Sequence, residues 1–294
     1  MTGDNIKKEY SDNGFVIVRN AIDSDLANEL KNHVHWLGRK YPDIRPEAFH
    51  HDLLIHDPFI HHLVKSNELL NIVEEIIGPN IALFGAHYIA KKPYDGKPVG
   101  WHQDGSYWPL EPMDVVSLWV AGTSSTIKSG CMKVIPGTQN KRLLKPSEMI
   151  QVDTEEYVLD LAIHPDQIDD SDAVDIEMEA GDVSVHNPFI IHGSNANISD
   201  QWRMGLTLRY IPTSAYVNRD EWECILSRGN AVKEIQRLAP GKSFIQVDSY
   251  RTPKQKEVFE SWVLTAKFHD YPEGWIKLFN EAGYTGDYYW TIIE

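Results

Sequence analysis

The spacing of apolar residues changes near residue 81, and this change constrains the fold more than any other feature of the chain. Before it, apolar residues recur at helical spacing; after it, they form short strand-like runs separated by Gly, Pro, Asn and Asp. The runs are IALFGAHYIA, VVSLWVAG, GCMKVIPG, VDIEME, GDVSVH and WRMGLTLRYIP. Several short strands at regular intervals predict a mainly β fold of the sandwich or jelly-roll type, with flanking helices.

Helical patterns flank this core on both sides. Ser24 is predicted to cap the helix DLANELKNHVHWL, which Gly38 would end, and a second helix, NELLNIVEEIIG, is predicted to end at Gly78. Ahead of both, GFVIV (residues 14–18) has the composition of a buried strand. We expect a single domain over residues 1–294. Its parts are an N-terminal helical flank with one strand (1–80), a β core (81–212) and a C-terminal helical extension (213–294).

Composition excludes several kinds of partner. The chain carries 43 acidic and 28 basic residues, a formal net charge of −15 and no Lys/Arg cluster, which argues against binding of nucleic acid. Cys131 and Cys224 lie outside any CxxC pattern, so neither a disulfide framework nor a thiolate metal site is expected. No run of 18 apolar residues and no signal-peptide pattern occurs, which predicts a cytoplasmic protein without a membrane partner. The sequence alone gives no oligomeric state.

Two predicted strands have faces of different character. On the last core strand, Arg203, Thr207 and Arg209 point to one side, and aliphatic residues such as Leu206 and Leu208 point to the other. The run VVSLWVAG alternates in the same way. In one interpretation the mixed faces are simply exposed to solvent. In the other, the aliphatic faces pack on helices and the mixed faces line a ligand cavity.

A short motif in the core suggests a metal site. His102-Gln103-Asp104 places an imidazole and a carboxylate two residues apart, hence on the same side of an extended chain. His192, at the end of another apolar run, is the third candidate ligand. Two histidines and one carboxylate leave three coordination positions for exchangeable ligands, which suits oxygen-activating Fe(II). Catalytic zinc more often has three histidines, a helical His pair with Glu, or thiolates.

A second His-x-Asp motif, His50-His51-Asp52, lies in the helical region, where positions i and i+2 do not share a face. We therefore interpret the histidines of this region as surface or packing residues. They are His50, His51, His56, His61 and His62.

A basic residue beyond His192 suggests a co-substrate. Arg203 follows His192 by eleven residues, and its guanidinium could bind a carboxylate through two hydrogen bonds. A dicarboxylate held by a metal at one end and by Arg203 at the other matches 2-oxoglutarate.

Four stretches together resemble the phytanoyl-CoA dioxygenase-like (PhyH) family of 2-oxoglutarate oxygenases. They are DNGFVIVRNAI, YIAKKPYDGKPVGWHQDGSYW, VSLWVAGTSSTIKSGCMKVIPGT and MEAGDVSVHNPFIIHGSNANISDQWR. The resemblance implies a double-stranded β-helix, which is a cupin-like jelly roll, flanked by helices. The residues that it assigns are the Fe(II) ligands His102, Asp104 and His192, the 2-oxoglutarate ligand Arg203, and Trp119 and Ser194 beside the co-substrate.

The resemblance also implies an activity. A dioxygenase of this kind uses O2 and 2-oxoglutarate to oxidise an unactivated C–H bond of a small organic molecule and releases succinate and CO2. Hydroxylation is the expected outcome, with desaturation or oxidative cyclisation as alternatives. The candidates for substrate contact on the cavity rim are His87, Gln103, Tyr107, Trp108 and His186. The two extra imidazoles among them would suit a polar or carboxylate-bearing substrate. A metal-dependent isomerase or hydrolase without redox chemistry, and a binding protein without catalysis, are the competing interpretations.

Overall fold

The computed structural model describes residues 3–219, 222–229, 241–262 and 270–292. Two compact units divide the chain, residues 1–228 and residues 229–294. The sequence predicted one domain with an extension that begins at residue 213. The structure instead groups residues 213–228 with the predicted core.

Helices fill the N-terminal part of the first unit, as the spacing of its apolar residues predicts. In chain order the elements are α1 (Gly3–Asn13), β1 (Phe15–Val18), α2 (Ser24–Lys40), α3 (His51–Leu54), α4 (Pro58–Leu63) and α5 (Asn67–Ile77). Helix α5 ends at Gly78 as predicted, with a φ of 80° that glycine adopts without strain. The predicted ends of α2 were wrong. Asp23 accepts the capping hydrogen bond from the Leu26 N–H, and the helix continues through Gly38, since one glycine costs only about 1 kcal/mol.

Two antiparallel sheets form the β core of the first unit. The strands that follow the helices are β2 (Ile81–Tyr88), β3 (Val99–His102), β4 (Leu110–Glu111), β5 (Val116–Ala121), β6 (Met132–Ile135), β7 (Ile150–Gln151), β8 (Leu161–Ala162), β9 (Val174–Ile176), β10 (Val183–His186), β11 (Ile191–Ser194), β12 (Gly205–Pro212), β13 (Tyr216–Val217) and β14 (Ile225–Arg228). Four of them form two small two-stranded pairs, β4 with β13 and β7 with β8. The larger sheet has the order β1-β10-β5-β12-β2-β14, and the smaller sheet has the order β3-β11-β6-β9. Two such sheets with flanking helices make the cupin-like jelly roll, so the predicted fold class is confirmed.

The larger sheet buries its aliphatic face against the N-terminal helices. Leu206, Leu208 and Tyr210 of β12 are fully buried, in one cluster with Leu30 of α2 and Leu69 of α5. Each side chain of this size stabilises the fold by about 1.5–3 kcal/mol when it is buried. The opposite face of β12 lines a cavity. The alternation on this strand therefore reflects a ligand cavity and not a solvent-exposed face.

The second unit contains strands as well as helices. Its elements are β15 (Phe244–Ser249), α6 (Pro253–Trp262), α7 (Pro272–Glu281) and β16 (Asp287–Ile292), and the two strands pair in parallel. The sequence predicted a helical extension and missed both strands, which come from segments far apart in the chain. Among the residues described, none of the helices has the length and apolar character needed to cross a bilayer.

Candidate active site

A cavity of about 350 Å³ receives side chains from both sheets of the first unit. The predicted site residues in its wall are His87, His102, Asp104, Tyr107, Trp108, Trp119, His186, His192, Ser194 and Arg203. Gln103 does not line the cavity, so its predicted place on the rim was wrong. Its amide donates to the carbonyls of Arg142 and Phe189 and accepts from the Leu144 N–H. The reason is strand alternation: a residue between two that face the cavity points to the other side.

Two imidazoles meet where strands of the smaller sheet pair. His102 of β3 lies opposite His192 of β11 in the antiparallel register, and the ring centroids are 4.1 Å apart. Nδ1 of His102 lies 2.9 Å from the Gly100 carbonyl oxygen, and Nδ1 of His192 lies 3.1 Å from that of Ile190. A carbonyl can only accept, so each Nδ1 carries the proton and each Nε2 has a free lone pair. Burial and the neighbouring His102 hold the pKa of His192 well below its usual range, which favours the neutral ligand form.

Asp104 joins the two imidazoles from the turn after β3. Gln103 is extended, with φ −116° and ψ 123°, so His102 and Asp104 project to the same side as predicted. Oδ1 of Asp104 lies 3.6 Å from Nε2 of His102. The candidate ligand atoms of His102, Asp104 and His192 all lie within 4.8 Å of one another, and all three residues are buried. Two imidazoles and one carboxylate on the same side of a metal ion leave its other coordination positions open for ligands.

Further groups surround the Asp104 carboxylate. Nε2 of His186 lies 3.5 Å from Oδ2, the Ser117 hydroxyl donates to Oδ2 at 3.5 Å, and a guanidinium nitrogen of Arg209 lies 3.6 Å from Oδ1. Burial opposes ionisation of Asp104. The Arg209 charge and the neighbouring rings of His102 and His186 outweigh it and hold the pKa of Asp104 well below its usual range. The carboxylate is therefore present in the ionised form that binds metals.

At one end of the cavity, backbone carbonyls anchor Arg203. Its guanidinium donates to Gly130 O at 2.6 Å and Ile89 O at 2.9 Å, and lies 4.9 Å from the centroid of the Trp119 ring. Gly130 has a φ of 76°, and an added Cβ would lie 2.3 Å from a backbone oxygen, so the turn requires glycine. Burial lowers the pKa of Arg203 to about 10, which leaves it charged at neutral pH. Within the described residues its buried Nε has no hydrogen-bond partner, as expected of a donor that awaits a ligand.

Lys91 lies beside this end of the cavity and was missed by the sequence analysis. Its buried Nζ donates to Ser194 Oγ at 2.7 Å and to the Asn195 carbonyl. Burial and the charge of Arg203 hold the pKa of Lys91 well below its usual range. Lys91 lies three residues beyond the end of β2, and the sequence around it gives no sign that its side chain is buried.

Aromatic side chains form the wall near Arg209. The Phe84 ring centroid lies 5.8 Å from that of Trp108 and 5.1 Å from that of Trp222. The Arg209 guanidinium lies 5.2 Å from the centroid of the Trp108 ring. None of Phe84, Trp222 and Arg209 was selected as a site residue from the sequence. The alternation of β12 nevertheless placed Arg209 on the same face as Arg203.

The second His-x-Asp motif also belongs to the cavity wall. His50, His51 and Asp52 all line it, so their interpretation as surface or packing residues was incomplete. The His50 ring centroid lies 4.1 Å from that of His87, and the His51 ring stacks on Trp222 at 5.1 Å. Contact between α3 and β2 brings the motif there, and the spacing of apolar residues does not encode such a contact. Among the described residues, the metal-type cluster contains His102, Asp104 and His192 and not this motif.

Several known proteins are similar to this chain in sequence or in fold. The sequence profile of phytanoyl-CoA dioxygenase (PhyH) matches residues 10–205. A probable phytanoyl-CoA dioxygenase of Caenorhabditis elegans is 32% identical over 163 residues, which are 52% of this chain and 51% of that protein. A probable alpha-ketoglutarate-dependent hypophosphite dioxygenase of Stutzerimonas stutzeri is 25% identical over 58% of this chain and 60% of that protein. The apo structure of the non-heme monooxygenase ThoJ has a TM-score of 0.64 at 24% identity, over 76% of this chain and 84% of ThoJ.

The profile match covers more than half of the chain and includes every residue predicted to bind metal or co-substrate. It decides against a binding protein and against an isomerase or hydrolase without redox chemistry. The chain spans 51% of the length of the first of these relatives and 60% of the length of the second. This chain belongs to the phytanoyl-CoA dioxygenase family and is an Fe(II)- and 2-oxoglutarate-dependent dioxygenase.

Proposed function

We propose that the enzyme hydroxylates an unactivated C–H bond of a small organic molecule, with release of succinate and CO2. In this proposal His102, Asp104 and His192 bind Fe(II), and Arg203 binds the distal carboxylate of 2-oxoglutarate. One observation carries the proposal: three convergent metal-ligand atoms line the same cavity as an anchored guanidinium, whose Nε has no hydrogen-bond partner among the described residues. The predicted cytoplasmic location stays a prediction.

The donor set supports Fe(II) at the three residues. Both imidazoles have Nδ1 tied to a carbonyl, so their Nε2 atoms are oriented before a metal arrives. Ser117 and His186 lie at Oδ2 of Asp104, whereas Oδ1 lies 3.6 Å from both Nε2 of His102 and a guanidinium nitrogen of Arg209. Fe(II) bound there would supply oxygen activation, the chemistry for which two histidines and one carboxylate are suited.

The surroundings of Arg203 support its role as the 2-oxoglutarate ligand. Carbonyls of Gly130 and Ile89 fix the guanidinium, so little side-chain entropy is lost when a carboxylate binds. Trp119 lies under the same guanidinium. Ser194 accepts a hydrogen bond from Lys91, and its own O–H is therefore available to donate to the co-substrate.

Hydroxylation is the outcome that requires least from the protein. It needs one C–H bond held close to the metal, and the cavity provides positioning through its shape and its aromatic wall. Desaturation and cyclisation require in addition a substrate geometry that delays transfer of oxygen. The Tyr107 hydroxyl donates to the Leu161 carbonyl at 3.1 Å, so it is held by the fold and contributes to the shape of the cavity.

The test combines spectroscopy with isotope labelling. Purified protein receives Fe(II) and then 2-oxoglutarate without oxygen, and the visible charge-transfer band of the chelate is recorded. We expect the band in the wild type, its loss in His192→Ala, and a higher 2-oxoglutarate concentration for half-saturation in Arg203→Ala. A substrate screen by succinate release, under labelled O2, should then give a product that has gained one oxygen atom from O2.

Matched variants separate these roles from general damage. His164→Ala removes a half-exposed imidazole outside the cavity, and Arg39→Ala removes an exposed guanidinium of α2. Both should retain the band at the wild-type concentration of 2-oxoglutarate. Wild-type protein that binds iron but gives no band would refute the ligand assignment. A product without oxygen from O2 would instead refute hydroxylation and leave the ligands in place.

A further inference from the structure

We propose that the substrate is a small organic anion, a carboxylate or a phosphate, whose charge is bound by Arg209 and whose body lies against Trp108 and Phe84. This inference rests on the proposed function, because it assigns Arg203 to the co-substrate. Arg209 of β12 and Arg203, two residues before the start of β12, both line the cavity and are six positions apart. Their Cα atoms are therefore about 20 Å apart, at about 3.3 Å per residue, and the two residues serve different ends of the cavity.

The cavity wall is positive in a strongly acidic protein. Among the described residues, the charged lining groups are Arg203, Arg209, Arg219, Asp52 and Asp104, whereas the whole chain has a net charge of −15. Fe(II) and doubly ionised 2-oxoglutarate carry opposite charges of equal size. When both are bound, the excess positive charge of the wall is unchanged. An anionic substrate neutralises this excess, and a neutral or cationic substrate does not.

Arg209 lacks the partners that satisfy Arg203. Within the described residues its Nε is buried without a hydrogen-bond partner. A carboxylate oxygen, Oδ1 of Asp104, lies 3.6 Å from the guanidinium, which is beyond hydrogen-bonding distance. In the loaded enzyme Asp104 shares its charge with a divalent cation. A largely buried guanidinium in this position favours a further anion as its partner.

The neighbouring strands keep the Arg209 side chain inside the cavity. Its partners in the register are Gly85 on β2 and Ser117 on β5, both of which are small. A Cβ added at Gly85 would lie 3.7 Å from Arg209 Cδ, so the aliphatic part of the side chain lies close over that glycine. The side chain is only 14% exposed and lies between Trp108 and Asp104. An anion bound to it would consequently lie beside the metal ligands.

The adjoining wall indicates the rest of the substrate. Trp222 donates from Nε1 to the Phe84 carbonyl at 2.8 Å, which fixes its ring against Phe84. His50 and His87 are held neutral, because burial and nearby positive groups lower the pKa of each. They add hydrogen-bonding groups without further charge. An apolar or unsaturated body next to the anion fits these flat surfaces.

The test uses protein loaded with Fe(II) and 2-oxoglutarate without oxygen. Phenylacetate, phenyl phosphate and the uncharged phenylacetamide are titrated into it by calorimetry, while the charge-transfer band of the chelate is monitored. The proteins are wild type, Arg209→Gln, Arg209→Lys and the exposed control Arg39→Gln. The comparison of anion with amide in the wild type needs no variant to fold.

We expect one of the two anions to bind wild type at least about tenfold more tightly than the amide, with the band retained. Arg209→Gln should lose this preference, Arg209→Lys should keep part of it, and Arg39→Gln should keep all of it. Which anion binds more tightly distinguishes a carboxylate substrate from a phosphate. Absence of any preference over the amide, or a preference that survives Arg209→Gln, would overturn the inference. Bleaching of the band by the anion would also overturn it, because the anion would then be displacing 2-oxoglutarate. A wild type without the band would overturn the proposed function and this inference with it.

Discussion

Two arginines on the same strand face are held in opposite ways. Arg203 is buried on the Trp119 ring and donates to two backbone carbonyls, one of which belongs to Gly130 in a turn that requires glycine. Arg209 lies on the Trp108 ring, with Asp104 at 3.6 Å as its partner in an ion pair. One guanidinium is thus fixed in position before a ligand binds, and the other is restrained mainly by the shape of the cavity.

The difference follows from what each end has to bind. A rigid guanidinium loses little entropy on binding and suits a ligand of one fixed shape, such as a co-substrate common to a family. A guanidinium that is confined but not hydrogen-bonded can adjust to ligands of several shapes. The metal cluster adjoins the Arg209 end directly, because a guanidinium nitrogen of Arg209 lies 3.6 Å from Oδ1 of Asp104.

The largest effect is expected where the two ends meet. Asp104→Ala should remove one metal ligand. It also removes the carboxylate that forms an ion pair with Arg209. Turnover should fall by more than the roughly 10- to 100-fold that loss of an outer partner of a metal site costs. Iron content after desalting and succinate release measure this loss. The matched variant Asp52→Ala, at an exposed position of the cavity wall, should retain full iron content. Equal iron content in both variants would contradict the assigned ligand.

Removal of the anchored guanidinium should come second. Charged hydrogen bonds contribute about 1.5–3 kcal/mol each, so Arg203→Ala should raise the Kd for 2-oxoglutarate about 10- to 100-fold. Arg203→Lys should recover little of this, because an ammonium group cannot reproduce the planar fork that holds Gly130 O and Ile89 O. Titration of the charge-transfer band gives the Kd. If Arg209→Gln raised it by as much as Arg203→Ala, the two ends would not be distinct.

Sequence patterns predicted the end of the cavity around Arg203, which we call the fixed end, well. The alternation of the run WRMGLTLRYIP placed Arg203 on the side opposite Leu206 and Leu208, and the His-x-Asp spacing gave two residues of the metal cluster. Both features are local: they depend on which side of a strand a residue faces, and the period of a strand determines this. The same rule turns Gln103 away from the cavity, so its predicted place on the rim was wrong.

The end of the cavity around Arg209, Trp108 and Trp222, which we call the adaptable end, was predicted less well because tertiary contacts form it. His50 reaches the cavity through α3, and Trp222 reaches it from a segment near the end of the first unit. Neither position follows from the spacing of apolar residues. Lys91 was missed for a different reason: an isolated lysine gives no sign that it will be fully buried, and its depth depends on Ser194 and the Asn195 carbonyl across the cavity.

A substitution at Gly205 tests whether the anchor depends on its aromatic support. A Cβ at this position would lie 1.9 Å from Trp119 Cζ2, so the ring has to move from under Arg203. Gly205→Ala should reduce the free energy of unfolding by about 1–3 kcal/mol through overpacking. Loss of a cation–π contact of about 1 kcal/mol should raise the Kd for 2-oxoglutarate about fivefold. Denaturant unfolding and band titration measure the two effects. Gly38→Ala, where an added Cβ meets nothing within 4 Å, should instead stabilise the protein by up to about 1 kcal/mol.

The smallest effect is expected at the mouth of the adaptable end. Arg219 is exposed and its guanidinium lies 4.8 Å from the centroid of the Trp222 ring, so solvent screens its charge. Exposed charges contribute about 0.2–1 kcal/mol, and Arg219→Gln should therefore weaken binding of the preferred anion no more than about fivefold. The deficit should shrink as salt is raised, whereas that of Arg209→Gln should persist because Arg209 is largely buried. Calorimetry at low and high ionic strength separates the two. A salt-independent loss in Arg219→Gln as large as that in Arg209→Gln would place the anion at the mouth, away from Asp104.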